Sequence, residues 1–476
     1  MKIIQYIYMR ISSNVVISGM GFISSIFVIK YFGVEVAGTI AFYLSILVLF
    51  SCVCDVGLSN ALIKFIAEEQ CENRITISTF FLLKFILLCI YIFICIIYIF
   101  YINKKLDDNL LVIFLISNIV NHGIRSPLFH LFKAKRDFKL LSIAEVSSSL
   151  ILFAYTVIIC LYFQNIYLLA MKVLFLNIIE AIFLIVFLIK KKVNYFVMPD
   201  SRNIKKFINY AAPIALTTFI SNVMSQIDNV LLGNILGMKE LGLYDIAKRL
   251  FSPVDIVIKA VTTTLYPEIL NRMYSNKHFF YTDFKQIVQL LTCFGSIIAF
   301  FIIFLSKPFV TLIYGIENVN AASILIFFSG VCVAKLLFRP YHHLIYGLEL
   351  QKIFLYITPF ANLFKLLCYI YFIPRIGAIT FPIIFTLTWL FPGGIVVWNT
   401  IRKHYGKTHI AEIALKILFP FCVIIFISYI FNFSIYIFPI VIFFFITIQV
   451  QLQIITNRKM SMILSPITTL FSTKNS

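Results

Sequence analysis

Charged residues are scarce in this chain, and acidic residues are the scarcest of them. Charged residues make up 13% of the 476 residues, whereas soluble globular domains contain about 25%. The polar stretches between the apolar runs are all shorter than the ~50 residues that a separate soluble domain needs. The low content of charged residues excludes a soluble protein. The short polar stretches argue against an enzyme whose chemistry lies in a large loop.

The ten cysteines lack the spacing of a metal site or of a disulfide framework. No Cys-x-x-Cys occurs, and the closest pair is Cys52 and Cys54. Most of the others lie inside apolar runs, where cysteine behaves as a small apolar side chain. We therefore expect neither a metal site nor a disulfide framework.

Long apolar runs dominate what is present. The chain is 61% hydrophobic, and a membrane-spanning helix needs about 20 apolar residues. This criterion predicts fourteen helices, at 11–30, 39–62, 76–102, 110–132, 140–163, 166–189, 207–236, 242–266, 286–306, 321–346, 353–373, 378–400, 413–431 and 435–455. We therefore predict an all-α polytopic membrane protein of about fourteen spanning helices, the last two of them appended to a twelve-helix core, with twelve helices in total as the alternative.

The distribution of Lys and Arg predicts the orientation. A net charge of +20 would suggest a nucleic-acid partner in a soluble protein. Here 24 of the 40 cations fall on one side of the predicted helices and 6 on the other, which is the positive-inside pattern. The first apolar run has no cleavage site and is interpreted as a retained helix. Both termini are therefore expected in the cytoplasm, with no nucleic-acid partner.

A glycine pattern occurs twice and predicts two lobes. Gly33 and Gly38 interrupt the first apolar hairpin, and Gly237 and Gly242 interrupt a later one at the same offset of 204 residues. Together with Pro213, these glycines are the predicted hinge or break positions. The predicted division is an N-terminal six-helix lobe at 1–189, a cytoplasmic linker at 190–206, a C-terminal six-helix lobe at 207–400, and a basic loop, two appended helices and a tail at 401–476. The two lobes are expected in a pseudo-symmetric V-shaped arrangement.

Ten cations fall inside the predicted helices. A charge at a helix centre costs about 2.5–3.5 kcal/mol on insertion, so such residues usually face a bundle interior or a water-filled cavity. Near a helix end, a long side chain can instead reach the headgroups. We expect side chains that reach the headgroups at four positions: Lys84, Lys172, Lys365 and Lys416.

The other embedded cations predict a cationic cavity. His122 and Arg125 are three residues apart on one helical face, and Lys335, Arg339 and His342 or His343 recur every three to four residues. The cavity is predicted from the following residues: Arg125, His122, Lys335, Arg339, Lys248 and Arg249. Lys259 is explained by Asp255 at the i, i+4 spacing of a local ion pair.

Polar side chains form stripes on the first and seventh predicted helices. The stripes consist of Asn14, Ser18 and Ser25 on the first helix and of Asn222, Gln226 and Asn229 on the seventh. Their helical spacing places each set on one face. Each stripe indicates either a cavity lining or polar contacts between helices. Asp228 lies beside the second stripe and is a candidate for proton or sodium coupling, with a structural ion pair as the alternative.

These motifs resemble those of a known family. The runs at 31–38 and 55–64 are similar to the opening hairpin of polysaccharide transporters of the multidrug/oligosaccharidyl-lipid/polysaccharide exporter superfamily. The start of that family's second lobe is resembled by residues 210–213, 228, 236–237, 242–244, 249–250 and 266–267, and 373–379 is similar to a late Pro-x-x-Gly break. The resemblance covers roughly residues 1–400.

The resemblance implies a flippase of the bacterial inner membrane that works by alternating access. Its cargo would be an oligosaccharide on undecaprenyl diphosphate, for O-antigen of lipopolysaccharide or for capsule. Membrane lipids, a polymerase and chain-length proteins are the implied partners. No cofactor and no catalytic residue are implied, apart from possible coupling to protons or sodium.

Three other functions stay open on the sequence. A peptidoglycan-precursor flippase has a chemically similar cargo and often fourteen helices. A multidrug exporter of the same superfamily would be favoured by more embedded acids and fewer embedded cations. A polysaccharide polymerase or ligase would be expected to have a large outer loop, whereas the longest one here, at 307–320, has about 14 residues, far fewer than a domain needs.

Overall fold

The computed structural model describes residues 2–69, 74–101, 108–190, 201–275, 283–350, 352–405, 409–422 and 438–451. These residues contain helices and no strand, which confirms the predicted all-α class. Most of the predicted linker, at 191–200, and the tail from 452 onward lie outside the described residues. Contacts between Cα atoms divide the chain into two compact units, Met1–Gly242 and Leu243–Ser476.

The first unit is a helical bundle built around α1. Its helices are α1 (Lys2–Ser51), α2 (Leu58–Glu69), α3 (Arg74–Tyr101), α4 (Asp108–Val120), α5 (Ser126–Ala134), α6 (Phe138–Ile158), α7 (Ile166–Lys190) and α8 (Ser201–Ile235). Helix α1 packs against α6 and α8, and α7 packs against α4 and α6. Helix α8 therefore belongs to the compact first unit, whereas the sequence assigned it to the second lobe. The division into lobes at 190–206 stays a prediction.

The second unit contains most of α9 (Met238–Ser275), whose first turn belongs to the first unit. Its other helices are α10 (Lys285–Tyr314), α11 (Asn320–Gly347), α12 (Lys352–Ile376), α13 (Thr380–Thr388), α14 (Gly394–Tyr405), α15 (Ile410–Ile413) and α16 (Phe438–Gln451). Helices α10 and α11 form the most extensive pair, and α13 packs against both α11 and α12.

Eight helical segments in the described residues are long and apolar enough to cross a membrane. Two of them, at 12–54 and 357–405, are each long enough for more than one crossing. In lipid, helices satisfy their backbone hydrogen bonds internally, so long apolar segments fold this way. The chain is a multi-pass membrane protein.

Breaks in the helices follow from particular residues. Gly33 and Gly237 have φ values of +85° and +94°, which glycine adopts without steric cost. Gln164 adopts a left-handed conformation (φ +45°), and the Asn165 side chain accepts a hydrogen bond from the Tyr167 N–H (2.8 Å), so α6 and α7 separate as predicted.

The helix predicted at 39–62 is interrupted. It breaks into a 3-10 turn (Cys52–Cys54) and a loop in which Val56 and Gly57 have positive φ. The Asp55 carboxylate then accepts hydrogen bonds from the backbone N–H (3.2 Å) and hydroxyl (2.6 Å) of Ser59, and so caps the start of α2.

In the described part of the chain, complete π-helical turns continue or end α-helical segments at Asn121–Arg125, Ile159–Phe163, Trp389–Gly393 and Ala414–Leu418. Single π turns of this kind are frequent at functional sites. Helix α8 begins at Ser201, six residues before the predicted start at 207, so Pro213 lies about three turns inside it.

Candidate functional site

Arg125 lies in a π-helical turn of the first unit and forms an ion pair with Glu180 of α7. Its Nη1 also donates to Asn121 Oδ1 at 2.9 Å. Glu180 is buried, and its second oxygen accepts from Ser148 Oγ of α6 at 2.9 Å. The positive charge predicted at Arg125 is therefore compensated by a carboxylate.

A second ion pair lies one helical turn from Ser148. Arg10 of α1 binds Glu145 of α6 through both carboxylate oxygens. Together with Arg125, Asn121, Ser148 and Glu180, these two residues form what we call the Arg125 network. Sequence analysis missed Glu145 and Glu180, although each is a lone acid inside an apolar run and intramembrane acids are usually paired.

His122 is the other residue of this unit assigned to the cationic cavity, and it forms no ion pair with any described residue. Its Nδ1 atom is buried without a hydrogen-bond partner among the residues that the structure covers. Its Nε2 lies 3.5 Å from Asn121 Nδ2, and its ring centroid lies 6.4 Å from that of Tyr91. His122 adjoins the Arg125 network through Asn121.

Lys84 does not reach toward headgroups, so the sequence-based interpretation of this residue is wrong. Its side chain is 2% exposed and forms an ion pair with Asp55 at the helix break. Its Nζ also donates to the Cys54 carbonyl at 3.2 Å. Lys84 therefore satisfies both the carboxylate and a carbonyl group that the interrupted helix leaves unbonded.

The second unit contains a group of cations around one carboxylate. Asp255 of α9 binds Lys259 at 2.8 Å through Oδ2 and Lys335 of α11 at 2.6 Å through Oδ1. The predicted local pair with Lys259 is thus present, and the sequence missed the longer-range pair with Lys335. We call Asp255, Lys259, Lys335, Arg339 and His343 the Arg339 cluster.

Arg339 is the member of this cluster for which the described residues provide no ion-pair partner. In the described part of the chain it makes no ion pair and no hydrogen bond, although it lies within electrostatic range of Asp255, Lys335 and His343. The ring of His343 contacts that of Tyr266 (4.8 Å between centroids), and its Nε2 has no partner among the described residues. The cluster thus has three cations, one carboxylate and an unsatisfied imidazole nitrogen.

Lys248 and Arg249, also predicted to line the cavity, have local partners. Arg249 Nε donates to Asp245 Oδ2 one turn earlier, at 2.6 Å. Lys248 Nζ lies 5.5 Å from the ring centroid of Tyr244, within cation–π distance. Neither residue is brought into contact with Arg339.

The polar stripe on α8 makes contacts between and within helices. Asn229 Nδ2 donates to Ser45 Oγ of α1 at 2.8 Å, and Gln226 Nε2 donates to Ser225 Oγ at 3.2 Å. Asn222 interacts with the Cys52 thiol. These contacts match the interhelical interpretation, while a role in lining a cavity stays a prediction.

The three residues of the stripe on α1 differ in their exposure, although their spacing places them on one face. Asn14 and Ser18 are exposed, but Ser25 is buried and donates to the Phe22 carbonyl at 2.6 Å. Asp228 of α8 is half-buried, and coupling through it stays a prediction.

The glycine motifs of the two repeats meet inside the first unit. Gly38 of α1 and Gly242 in the first turn of α9 approach each other backbone to backbone. A hinge role for these two glycines, for Gly33 and Gly237 at the helix breaks, and for Pro213 inside α8 stays a prediction.

The remaining embedded lysines differ from one another. Lys416 pairs with Glu412 one turn earlier, at 2.8 Å. Lys172 is half-buried. Lys365 of α12 is buried, with its Nζ 5.4 Å from the ring centroid of Tyr369 and 5.8 Å from that of Phe385, so an outward-reaching side chain does not describe it.

Comparison with known sequences assigns the family. The profile of the polysaccharide biosynthesis protein family matches residues 4–272, more than half of the chain, and the chain belongs to this family. It is also similar to the teichuronic acid biosynthesis protein TuaB of Bacillus subtilis, with 23% identity over 142 residues. That similarity covers 30% of this chain and only 29% of the relative.

Solved structures share the fold. The lipid II flippase MurJ, in an inward closed conformation, superposes with a TM-score of 0.68 at 16% identity and covers 97% of this chain and 100% of its own. A multidrug resistance MATE family transporter of the MOP superfamily, in an inward-facing conformation, gives a TM-score of 0.62 at 13% identity over 83% of this chain and 94% of its own. At 16% and 13% identity these likenesses concern the fold alone, and they confirm the predicted all-α polytopic fold.

Proposed function

We propose that this protein is a flippase for undecaprenyl-diphosphate-linked oligosaccharide repeat units, working by alternating access in the bacterial inner membrane. The polysaccharide biosynthesis family supports the glycan part of the cargo. The Arg339 cluster supports the diphosphate part and is the observation that carries the proposal. The polymer assembled from the repeat units would be O-antigen or capsule, and no catalytic step is proposed for this chain.

The charge of the Arg339 cluster favours a diphosphate. Lys259, Lys335 and Arg339 supply three positive charges and Asp255 one negative charge, which leaves a surplus of two. Embedded charge without compensation is costly, so a bound dianion stabilises such a site. Arginine is suited to phosphate because its guanidinium donates two parallel hydrogen bonds.

The orientation, energy source and partners follow the sequence-based predictions. The cation distribution supports cytoplasmic termini, so the cargo would be collected on the cytoplasmic side of the membrane and released on the opposite side. Asp228 remains the candidate for coupling to protons or sodium. A polymerase and chain-length proteins would act on the released repeat units.

A peptidoglycan-precursor flippase is the second candidate. The Arg339 cluster would serve any lipid diphosphate, and the fourteen predicted helices fit this function as well. A multidrug exporter is less well supported, because the surplus of positive charge would repel cationic drugs.

Gene deletion and complementation test the proposal. The deleted strain should lose surface polysaccharide and accumulate single lipid-linked repeat units on the cytoplasmic leaflet, and the wild-type gene should restore export. Arg339→Ala should reduce export about tenfold or more, because a charge-assisted hydrogen bond contributes about 1.5–3 kcal/mol. Arg339→Lys should retain part of the activity.

The matched control is Arg375→Ala, since Arg375 is an exposed arginine of α12 that stacks on Tyr371. It should export normally. Intact polymer in the deleted strain, with sensitivity to cationic dyes, would move the protein to the drug exporters. Accumulation of the peptidoglycan precursor, with normal surface polymer, would support the second candidate.

A further inference from the structure

A cavity of about 210 Å³ lies in the second unit, among α11, α12, α13, α14 and the π-helical turn Trp389–Gly393. At about 30 Å³ per water, it holds the volume of roughly seven water molecules. A cavity of this volume accommodates a single sugar ring and is too small to enclose a whole oligosaccharide. None of the functional predictions from the sequence used the π turn or the face of α12 that lines this cavity.

Aromatic rings form one wall of the cavity. The rings of His342 and Trp389 are stacked, with centroids 5.1 Å apart and planes inclined by 19°. The ring of Phe354 is tilted against that of His342, with the two centroids 4.9 Å apart. Flat aromatic faces of this kind pack against the C–H face of a sugar ring.

Polar groups also line the cavity. Thr358, Asn362 and Lys365 line the cavity and recur at intervals of four and three, so they share one face of α12. His342 also lines the cavity, and its Nε2 is buried without a hydrogen-bond partner among the described residues. A polar atom left in this way is costly in the free protein and is satisfied when a ligand hydroxyl binds it.

The charge of the cavity differs from that of the Arg339 cluster. Among the described residues that line it, Lys365 is the one with an ionised side chain. A single lysine matches a single negative charge, such as a carboxylate, whereas a diphosphate requires the surplus found at Arg339. The two sites are nevertheless close. His342 follows Arg339 by three residues on α11. The Phe385 ring is near both lysines, with its centroid 5.1 Å from Lys335 Nζ and 5.8 Å from Lys365 Nζ.

We infer that this cavity binds one sugar residue of the cargo and selects for a sugar that carries a carboxylate. The sugar ring packs on Trp389, its hydroxyl groups bind Asn362, Thr358 and His342, and its carboxylate binds Lys365. This inference rests on the proposed function, since it assigns the glycan part of the cargo to a separate subsite beside the diphosphate.

Tryptophan fluorescence tests the inference directly. The chain has two tryptophans, so Trp398→Phe leaves Trp389 as the single reporter in the full-length protein in detergent. Three soluble probes separate the recognised features: D-glucuronate has the ring and the carboxylate, D-glucose has the ring alone, and acetate has the carboxylate alone. We expect D-glucuronate to change the fluorescence saturably, with an affinity about tenfold or more above that of D-glucose or acetate.

Lys365 variants provide the matched comparison. Lys365→Gln should lower the affinity for D-glucuronate to that for D-glucose and leave D-glucose binding unchanged, and Lys365→Arg should keep the preference for the acid. A melting curve of each variant checks that it remains folded. The inference is overturned if D-glucose and D-glucuronate bind equally well, if acetate binds as well as D-glucuronate, if Lys365→Gln keeps the preference, or if no probe binds.

Failure of the subsite is distinguishable from failure of the proposed function. Selective binding of D-glucuronate in a protein whose deletion leaves polysaccharide export intact would keep the subsite and reject the flippase. Lost export in the deleted strain, combined with equal binding of the three probes, would keep the flippase and reject the subsite.

Discussion

Gly38 and Gly242 pack against each other with no room for a side chain on either. A Cβ atom on Gly38 would lie 1.9 Å from the Met238 carbonyl oxygen and 2.8 Å from the Gly242 nitrogen. A Cβ atom on Gly242 would lie 2.0 Å from the Val34 carbonyl oxygen. Val34 and Met238 are related by the same offset of 204 residues as the two glycines, so equivalent residues of the two repeats make the contact reciprocally. Small residues allow membrane helices to approach this closely.

Alanine at either glycine should therefore destabilise the protein. Gly38→Ala and Gly242→Ala each force a backbone shift, and overpacking of this kind costs about 1–3 kcal/mol. We expect a lower melting temperature in detergent and less protein in the membrane. The control is Gly21→Ala, because a Cβ atom at Gly21 meets nothing within 4 Å. Equal melting temperatures for all three variants would show that the contact between α1 and α9 at these glycines relaxes without a loss of stability.

Arg125→Ala should destabilise the protein through Glu180, whatever its effect on transport. Glu180 is buried, and removing one partner of a buried ion pair costs about 3–5 kcal/mol. The double variant Arg125→Met, Glu180→Gln should regain much of the loss, because it removes both charges together. Thermal unfolding of the single and double variants measures this coupling. A stable Arg125→Ala protein that fails to export would instead place Arg125 in contact with the cargo.

The helices could be predicted from the sequence, but the ion pairs between charged residues on different helices could not. Apolar runs and glycines are local signals, so the fold class and the separation at Gln164 and Asn165 could be predicted. The partners of Arg125 and Lys335 are 55 and 80 residues away. No local spacing encodes such pairs, whereas Asp255 and Lys259, one turn apart, could be paired from the sequence.

Lys84 shows the same limit most clearly. Its position in an apolar run resembles that of a lysine reaching toward headgroups, but its partners are Asp55 and the Cys54 carbonyl, about thirty residues away across a helix break. The break itself depends on Val56 at φ +34°, a conformation that β-branched residues rarely adopt. Neither feature has a periodic signature.

Lys84→Met should unfold or misassemble the first unit. The substitution leaves the Asp55 charge and the Cys54 carbonyl without Lys84, and each such loss is costly in a buried site. Lys84→Met combined with Asp55→Asn should recover part of the stability. The matched control is Lys416→Met, since the Lys416 side chain is 41% exposed. Similar melting temperatures for Lys84→Met and Lys416→Met would contradict the buried role of Lys84.

Inorganic pyrophosphate should stabilise the wild-type protein through the Arg339 cluster. Binding to the folded state alone raises stability by mass action, by about 1.4 kcal/mol at a ninefold excess over Kd. Arg339→Ala should reduce the rise in melting temperature, because it lowers the surplus charge from two to one, and Arg375→Ala should not. Without pyrophosphate, Asp255→Asn should have a lower melting temperature than wild type, because Lys335 loses its ion-pair partner. With pyrophosphate, its melting temperature should rise by more than that of wild type, because the surplus of positive charge in the cluster increases from two to three. Equal gains for wild type and Arg339→Ala, in a buffer of constant ionic strength, would show that the cluster does not bind the diphosphate.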